Sequence, residues 1–173
     1  MKERVVRLKM LSGEHALLVE EFVELVPGSQ CLYKLLVPGV LGLSDGLLVN
    51  HLLPQLSSSA QVITLDRLRT LVSSDCTRLY LAKEGDHIHG MLSLVVFPIP
   101  TGTKAWVEDV VVDDAARGKG VGKSLMRHAM EQAEMLGAKA VDLTSRPSRE
   151  AANKLYQSLG FETRETNVYR YLG

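Results

Sequence analysis

The stretch Ala116-Arg117-Gly118-Lys119-Gly120-Val121-Gly122-Lys123-Ser124 decides the fold, because it joins an apolar strand to an amphipathic helix. Three glycines in five residues let the backbone adopt positive φ and approach a ligand closely. The first amides of the following helix have no partners inside the helix, and the helix dipole favours an anion beside them. Arg117, Lys119 and Lys123 add positive charge. The stretch therefore predicts an anion-binding loop, and the alternative is a glycine-rich turn with solvated charges.

The elements on both sides of the loop support the first interpretation. The preceding strand, predicted over Lys104–Val112, ends in Val110-Val111-Val112, a run without polar alternation that is typical of an interior strand. The following helix, predicted over Gly120–Leu136, carries apolar residues at steps of three and four, and Gly137 stands where a C-terminal glycine ends a helix.

Three phosphate-loop patterns compete for this stretch. Gly122-Lys123-Ser124 matches the end of a P-loop, but that pattern needs a glycine at position 117, where Arg117 stands. Gly118 and Gly120 match a dinucleotide fingerprint, but its third glycine would fall on Lys123. The third pattern, Arg/Gln-x-x-Gly-x-Gly/Ala, is filled at every fixed position by Arg117, Gly120 and Gly122.

The third pattern is the pyrophosphate loop of the GCN5-related N-acetyltransferases (the GNAT superfamily), which this chain resembles. Residues Trp106–Val112 resemble the central fourth strand of that family, and their Glu-Asp-Val-Val-Val run is similar to glucosamine-6-phosphate N-acetyltransferases. Asn153, Tyr156 and the Gly160-Phe161 pair resemble the family's second motif. The resemblance implies an α/β protein with the GNAT fold, in which a mixed, mostly antiparallel sheet splays between its fourth and fifth strands and is flanked by helices.

The length and the order of elements indicate one domain over residues 1–173. Residues 79–172 follow the family's order, whereas residues 1–45 are atypical, since they hold two candidate strands where the family needs one. We expect strands over Val5–Met10, Cys31–Val37, Leu79–Ala82, Ile88–Phe97, Ala140–Leu143, Phe161–Glu165 and Val168–Leu172. We expect helices over Glu14–Val26, Gly46–Leu56, Leu65–Ser73 and Arg149–Leu159, the last with Ser148 as its N-cap.

The resemblance implies acetyl-coenzyme A as the acyl donor. The pantetheine arm would add to the backbone of Val110, Val111 and Val112 as an extra strand, while those valine side chains fill the core. Asn153 and Tyr156, one helical turn apart, would contact the cofactor from the last helix. The pyrophosphate would lie on the loop residues Arg117, Gly118, Lys119, Gly120, Val121, Gly122 and Lys123.

Transfer in this family is direct, so the resemblance implies no Ser or Cys nucleophile. Tyr156 is the candidate acid for the leaving thiolate, and the alternative is a core aromatic. Glu108 is the first candidate for the base or for binding the amine, followed by Asp109, which alternation places on the opposite face. Either carboxylate is equally consistent with an ordinary salt bridge. The backbone amide of Val112 is the candidate donor to the thioester oxygen.

The composition of the chain argues against several classes of binding partner. Lys+Arg and Asp+Glu both number 20, which argues against a nucleic-acid partner. No near-continuous apolar run of about 20 residues is present, which argues against a membrane span. The N-terminus lacks a signal-peptide pattern, and two cysteines are typical of a reducing compartment, so we expect a cytoplasmic protein. His87 and His89 lack a third metal ligand nearby, so no metal is expected, and packing is the favoured role of Trp106.

We therefore expect an N-acetyltransferase that acts on the primary amine of a small molecule. A protein amine as acceptor and a coenzyme A-binding module without turnover are the alternatives, and a nucleotide-binding P-loop protein is a third. The apolar residues between Val168 and Leu172 are consistent with a homodimer.

Overall fold

The computed structural model describes residues 41–173 in full and, before them, the backbone of three strands at 5–10, 17–26 and 29–35. The elements in chain order are β1 (Val5–Met10), β2 (Leu17–Val26), β3 (Ser29–Leu35), α1 (Leu43–Leu56), α2 (Leu65–Val72), β4 (Thr77–Glu84), β5 (His87–Ile99), β6 (Gly102–Val112), α3 (Val121–Met135), β7 (Ala138–Leu143) and α4 (Glu150–Ser158). A short 3-10 turn over Asp114–Ala116 connects β6 to the glycine loop.

The strands form one seven-stranded sheet in which spatial order follows chain order from β1 to β7. Each neighbouring pair from β1 to β6 is antiparallel, and β6 pairs with β7 in parallel. A parallel pair needs a crossover, and α3 supplies it. The sheet is therefore mixed and mostly antiparallel, as the resemblance implied.

Two apolar clusters cover the two faces of the sheet. On one face, Tyr80 and Ala82 of β4 contact α3 through its side chains Leu125, Met126 and Ala129. On the other face, the alternate β4 residues meet α1 and α2, and the core members there include Leu79, Leu81, Val49, Leu52, Leu68 and Val72. This alternation along β4 is the pattern of a strand buried on both faces.

The strands predicted over Leu79–Ala82 and Ile88–Phe97 are confirmed as β4 and β5, which form a hairpin. Gly85 and Asp86 form its turn, and Gly85 adopts φ +57°, which a residue with a Cβ rarely does. Gly137 likewise ends α3 with φ +84°. The helices predicted at Gly46–Leu56 and Leu65–Ser73 are confirmed as α1 and α2, and the predicted strand beginning at Cys31 is confirmed as β3 up to Leu35.

Four predictions are wrong. The helix expected over Glu14–Val26 is strand β2 from Leu17 onward, because it pairs on both sides with β1 and β3; such tertiary pairing overrides a helical spacing of apolar residues. The strands expected over Phe161–Glu165 and Val168–Leu172 do not form, since neither segment pairs with β7. Ser148 does not cap α4, whose N-cap is Arg149 without a side-chain bond.

Positions 1–4, 11–16, 27–28 and 36–40 lie outside the described residues, and so do the side chains before 41. The signal-peptide argument at the N-terminus, the first residues of the expected helix at 14–26 and the last two of the strand at 31–37 fall there.

Candidate active site

The functional region begins at a bulge near the end of β6. Ser93 of β5 faces Glu108, and Met91 faces Val111, so Asp109 and Val110 together oppose Leu92. Asp109 has φ +52°, the positive value of a non-glycine residue that marks local strain. Bulges of this kind redirect side chains next to functional sites.

The bulge changes which face each side chain reaches. Ala105 and Val107 belong to the cluster under α3, and beyond the bulge Val110 and Val112 pack against that same cluster. Val111 joins the opposite cluster, under α1 and α2. A one-residue insertion has this effect because side chains alternate with a period of two. Val110, Val111 and Val112 therefore contribute side chains to the core, as expected.

Glu108 is the last residue that pairs with β5 before the bulge, and Asp109 is the first residue of the bulge. Both side chains are exposed, and both line the same cleft. Glu108 accepts a hydrogen bond of 2.7 Å from the indole N–H of Trp106, two residues earlier on the strand. Trp106 therefore orients the candidate base, a role beyond the packing expected for it.

A gap opens between β6 and β7 beyond Val107, where the bulge begins. Their parallel pairing runs from Thr103 with Ala138 to Val107 with Leu143 and includes nothing from Glu108 to Val112. On the other edge, Met91 pairs with Val111 and the Asp113 N–H donates to the His89 carbonyl at 2.9 Å. Antiparallel alternation then points the Val112 N–H away from β5, toward the gap.

The gap is part of an open cleft of about 2080 Å³. Its walls include Leu56, Ser57 and Ser58 at the end of α1, Trp106 to Val110 of β6, the Thr144–Pro147 loop after β7, and Asn153 and Tyr156 of α4. Five of the predicted site residues therefore meet in one cleft, namely Glu108, Asp109, Val110, Asn153 and Tyr156.

Tyr156 is partly buried against the cluster under α3, and its ring lies 6.0 Å from that of Phe161. Burial raises the pKa of its hydroxyl, the nearby Arg149 guanidinium opposes that rise, and the Glu108 carboxylate adds to it. Tyr156 therefore keeps its proton throughout the neutral range and is available as a hydrogen-bond donor. Glu108 and Tyr156 line the same cleft.

Asn153 is partly occupied inside the protein. Its amide N–H groups donate to the carbonyl oxygens of Arg146, at 3.0 Å, and Pro147, at 3.5 Å. The loop between β7 and α4 is held by these bonds, and its far end is held by a 3.0 Å bond from the Arg149 guanidinium to the Leu56 carbonyl.

The glycine loop lies beyond the cleft, at the N-terminus of α3. Gly118 and Gly120 have φ of +76° and +81°, and Gly120 is the N-cap of α3 without a side-chain bond. No acidic residue occupies the first turn of α3, so no negative side chain of that turn offsets the positive end of the helix dipole and the charge of Lys123. Arg117 pairs with Asp114, which neutralises part of the charge expected from the loop.

Close packing connects this loop to the rest of the site. A Cβ on Gly122 would come within 3.2 Å of Leu155 and 3.3 Å of Val112, so the first turn of α3 touches both α4 and the end of β6. These positions place Val121 and Gly122, both buried, next to the strand that borders the gap. A ligand with an anionic part and a long arm fits this arrangement, the anion on the α3 amides and the arm along β6.

Helix α1 holds the start of the glycine loop through two side chains that sequence reasoning missed. Gln55 donates to the Asp113 carboxylate at 3.1 Å and accepts from the Asp114 N–H at 2.8 Å. His51 Nε2 lies 2.6 Å from the same carboxylate. The Gln55 hydrogen bond is the main cause that lowers the pKa of Asp113, and the His51 bond contributes in the same direction. Only the packing of α1 against β6 brings these residues together, so no sequence signal could have found them.

None of the helices in the described part of the chain has the length and apolarity that crossing a bilayer requires. Within residues 41–173, no group of three or more His, Cys, Asp or Glu side chains is arranged to bind a metal. His89 instead lies 3.3 Å from the Glu84 carboxylate.

Comparison with known proteins agrees with the fold. The model of the acetyltransferase (GNAT) family matches residues 48–161. Over 108 residues, which are 61% of this chain and 75% of the relative, the sequence is 31% identical to Uncharacterized N-acetyltransferase YhdJ of Bacillus subtilis (strain 168). The chain belongs to the GNAT family and is an acyl-coenzyme A-dependent acetyltransferase.

Two solved structures illustrate the fold. The aminoglycoside acetyltransferase meta-AAC0020 from an uncultured soil metagenomic sample, in complex with sisomicin, superposes with a TM-score of 0.72 at 17% identity, covering 83% of this chain and 95% of that one. Glucosamine-6-phosphate N-acetyltransferase from Arabidopsis thaliana has a TM-score of 0.60 at 20% identity, with 82% and 99% covered. At these identities the similarity concerns the fold alone.

Proposed function

We propose that the protein transfers an acetyl group from acetyl-coenzyme A directly to the primary amine of a small molecule. The observation that carries the proposal is the gap between β6 and β7, which opens into a cleft that both Glu108 and Tyr156 line. A carboxylate and a protonated phenol on one cleft suit a reaction that removes a proton from an amine and supplies one to a thiolate.

The donor would bind along the path described above. Its pyrophosphate would lie on the first amides of α3, with Gly118 and Gly120 in the backbone conformation that allows this approach and Lys119 and Lys123 adding charge. Its pantetheine arm would run along the gap beside Val110 and Val112. The thioester would then reach the bulge, where the Val112 N–H is the proposed donor to the carbonyl oxygen.

At the bulge, the proposed step is a direct displacement. The amine nitrogen bonds to the acetyl carbonyl carbon, the carbon–sulfur bond breaks, and Tyr156 donates its proton to the departing sulfur. Glu108, oriented by Trp106, takes the proton that the amine loses, directly or through water, and Tyr156 regains one from solvent. Asp109 is the second candidate for the base. Asn153 would support the donor side mainly by holding the loop at Arg146 and Pro147.

The alternative without turnover makes a different prediction. A coenzyme A-binding module would bind the cofactor yet release no thiol with any amine, and Tyr156→Phe would behave as wild type. Calorimetry with acetyl-coenzyme A tests binding, and thiol release across a panel of amines tests turnover. Absence of binding would refute the donor assignment, and binding without release would favour the module. A peptide amine in the same panel tests the protein-acceptor alternative.

Tyr156→Phe is the specific test of the proposed acid. We expect kcat to fall by about a hundredfold, in the range typical for removal of a general acid, with acetyl-coenzyme A affinity changed by less than about twofold. Phenylalanine keeps the ring against Phe161, so a folding defect is not expected. A Glu108→Gln variant should lose kcat mainly at low pH, where the amine needs a base.

We also propose a homodimer, formed by the C-terminal segment. Val168, Tyr169, Tyr171 and Leu172 are between 77% and 93% exposed, which is unusual for a run of large apolar side chains. Sedimentation at several concentrations tests this, and a concentration-independent monomer would refute it.

A further inference from the structure

We infer that Trp106 selects the acceptor, and that the favoured substrate is an amine carried on an apolar or aromatic group that packs on the indole ring. This inference rests on the proposed function, since it concerns the acceptor whose amine meets Glu108 in the cleft. Trp106 would then contact the substrate as well as hold Glu108 through its hydrogen bond.

The first observation is the position of Trp106 on the sheet. Its neighbours along β6, Ala105 and Val107, belong to the cluster under α3, so the indole lies on the opposite face of the sheet. Val95 of β5 lies directly beside Trp106 on that face, and both side chains are partly buried. Glu108, two residues further on, shares the face with Trp106, and both line the cleft. The ring therefore forms part of the cleft wall next to the candidate base.

The second observation is that the apolar clusters of the fold do not include this ring. On the same face of the sheet, α1 and α2 pack on the cluster that contains Leu79 and Met91. Within residues 41–173, neither that cluster nor the one under α3 includes Trp106 or Val95. A large aromatic ring in the wall of an open cleft, outside the packed core, is suited to bind an apolar group of a ligand.

The third observation is the direction of the indole N–H. This N–H is the only polar group of the side chain, and it donates to Glu108 Oε1 at 2.7 Å. Since the N–H lies in the plane of the ring, the Glu108 carboxylate lies at the edge of the ring and leaves the ring face for other contacts. An ammonium group bound by Glu108 is then beside the ring, and the carbon group that carries it is within reach of the ring face.

The charges around the ring suit a cationic amine. Glu108 and Asp109 are exposed and line the cleft, whereas Asp142, beside Trp106 on β7, accepts a 3.1 Å hydrogen bond from Arg164. An ammonium group close to a tryptophan ring also gains a cation–π attraction, in addition to its contact with a carboxylate. A primary amine on an apolar group therefore matches both the carboxylates and the ring.

The alternative is that Trp106 only holds Glu108. Its replacement would then slow the transfer to every amine by the same factor, and the apolar group of the acceptor would not matter. The two roles use different parts of the side chain, because the N–H holds Glu108 and the ring face binds the acceptor. Trp106→Phe keeps an aromatic ring and removes the N–H, whereas Trp106→Ala removes both, so the two variants separate the roles.

The first test uses the whole protein and matched acceptors. Thiol release from acetyl-coenzyme A is measured with ethylamine, phenethylamine and cyclohexylethylamine, which share an aminoethyl group and differ in what it carries. We expect kcat/KM for phenethylamine to exceed that for ethylamine by at least about tenfold, as burial of one phenyl group predicts. Cyclohexylethylamine distinguishes stacking on the ring from burial of any apolar group. Equal or better use of ethylamine would overturn the inference while leaving the proposed function intact.

The variants test whether this preference depends on Trp106. Trp106→Ala should reduce the preference to within about twofold, with KM for acetyl-coenzyme A unchanged. Trp106→Phe should keep the preference but lower kcat for all three amines, because Glu108 loses its donor. Phe97→Ala is the matched control, since Phe97 is a partly buried aromatic on the same face of β5, two residues beyond Val95, and lies outside the cleft wall. A preference retained in Trp106→Ala, or lost equally in Phe97→Ala, would overturn the inference.

Tryptophan fluorescence tests acceptor binding without turnover, because Trp106 is the only tryptophan of the chain. With coenzyme A saturating the donor site, phenethylamine should change the emission of Trp106 in a saturable way, whereas ethylamine over the same concentrations should not. A saturable change without thiol release from any amine would support the contact with Trp106 and would count against the proposed transfer. No saturable change at millimolar phenethylamine would overturn the inference.

Discussion

Replacement of Gln55 by alanine tests whether helix α1 holds the glycine loop, to which we assign coenzyme A. The change removes both hydrogen bonds from α1 to the turn before the glycine loop that Gln55 makes, one to the Asp113 carboxylate at 3.1 Å and one from the Asp114 N–H at 2.8 Å. Neither group belongs to the glycine loop proper, but both lie in the turn that leads into it. We therefore expect the replacement to weaken coenzyme A binding, although Gln55 itself lies outside the glycine loop.

The magnitude follows from the two bonds. A hydrogen bond to a charged partner contributes about 1.5–3 kcal/mol and a neutral one about 0.5–1.5 kcal/mol, with lower values at a partly exposed site such as this one. We expect a loss of about 1–2 kcal/mol in the free energy of loop ordering. If binding requires the ordered loop, the dissociation constant rises by about five- to thirtyfold.

Calorimetry with coenzyme A measures this change directly, and thermal unfolding monitors the fold. Gln61→Ala removes an exposed glutamine outside this network and is the control, expected to bind as wild type. The kinetic signature is a larger KM for acetyl-coenzyme A with kcat nearly unchanged. A dissociation constant within twofold of wild type would refute the role of Gln55.

The lowered pKa of Asp113 allows a second test of the same variant, in which stability is measured as a function of pH. The Gln55 hydrogen bond lowers this pKa below its ordinary value, so the stabilisation is present above the ordinary value and is lost as pH falls through the lowered one. In Gln55→Ala the carboxyl should protonate at higher pH, and stability should begin to fall at a less acidic pH than in wild type. Identical acid-unfolding midpoints for the two proteins would contradict this reasoning.

Three further predictions concern the core, the loop and the alkaline range. Leu92→Ala should lower the free energy of unfolding by about 2–5 kcal/mol, measured by urea denaturation, because Leu92 is fully buried in the cluster under α3. Gly120→Ala should destabilise the protein by about 1–2 kcal/mol, because Gly120 has φ +81°, which a residue with a Cβ adopts at a cost. Gly122→Ala should cost less, because Gly122 lies inside a helix and the atoms close to its added Cβ are the ends of side chains. Equal losses for the two variants would contradict a special backbone conformation at Gly120. The pKa of Tyr156 is raised above its ordinary value of 10.0, so loss of its proton should lower kcat only above pH 10. This alkaline decrease in kcat should be absent in Tyr156→Phe.

Local patterns predicted much of the second half of the chain. The run of valines, the glycine loop and the amphipathic helix are each encoded within about a dozen residues, so β6, the loop and α3 could be placed from these patterns alone. The spacing of Arg117, Gly120 and Gly122 was enough to prefer one phosphate loop over two others. These features depend on backbone chemistry that acts over short distances.

The errors have a different origin. Residues Leu17–Val26 show apolar spacing compatible with a helix, and only pairing with β1 and β3 makes them a strand. The two C-terminal segments were expected to form strands, yet a segment without a hydrogen-bonding neighbour does not become one. Strand formation depends on partners far along the chain, which no local window contains.

For this protein, the sequence by itself determined the family and the position of the glycine loop before α3, because glycine positions and the start of a helix are specified locally. Only the tertiary structure decided the rest. The bulge at Asp109 reverses the faces that the following residues of β6 occupy. The gap opens because the pairing between β6 and β7 ends at Val107 and Leu143. The packing of α1 brings Gln55 to Asp113. Each of these depends on contacts between elements.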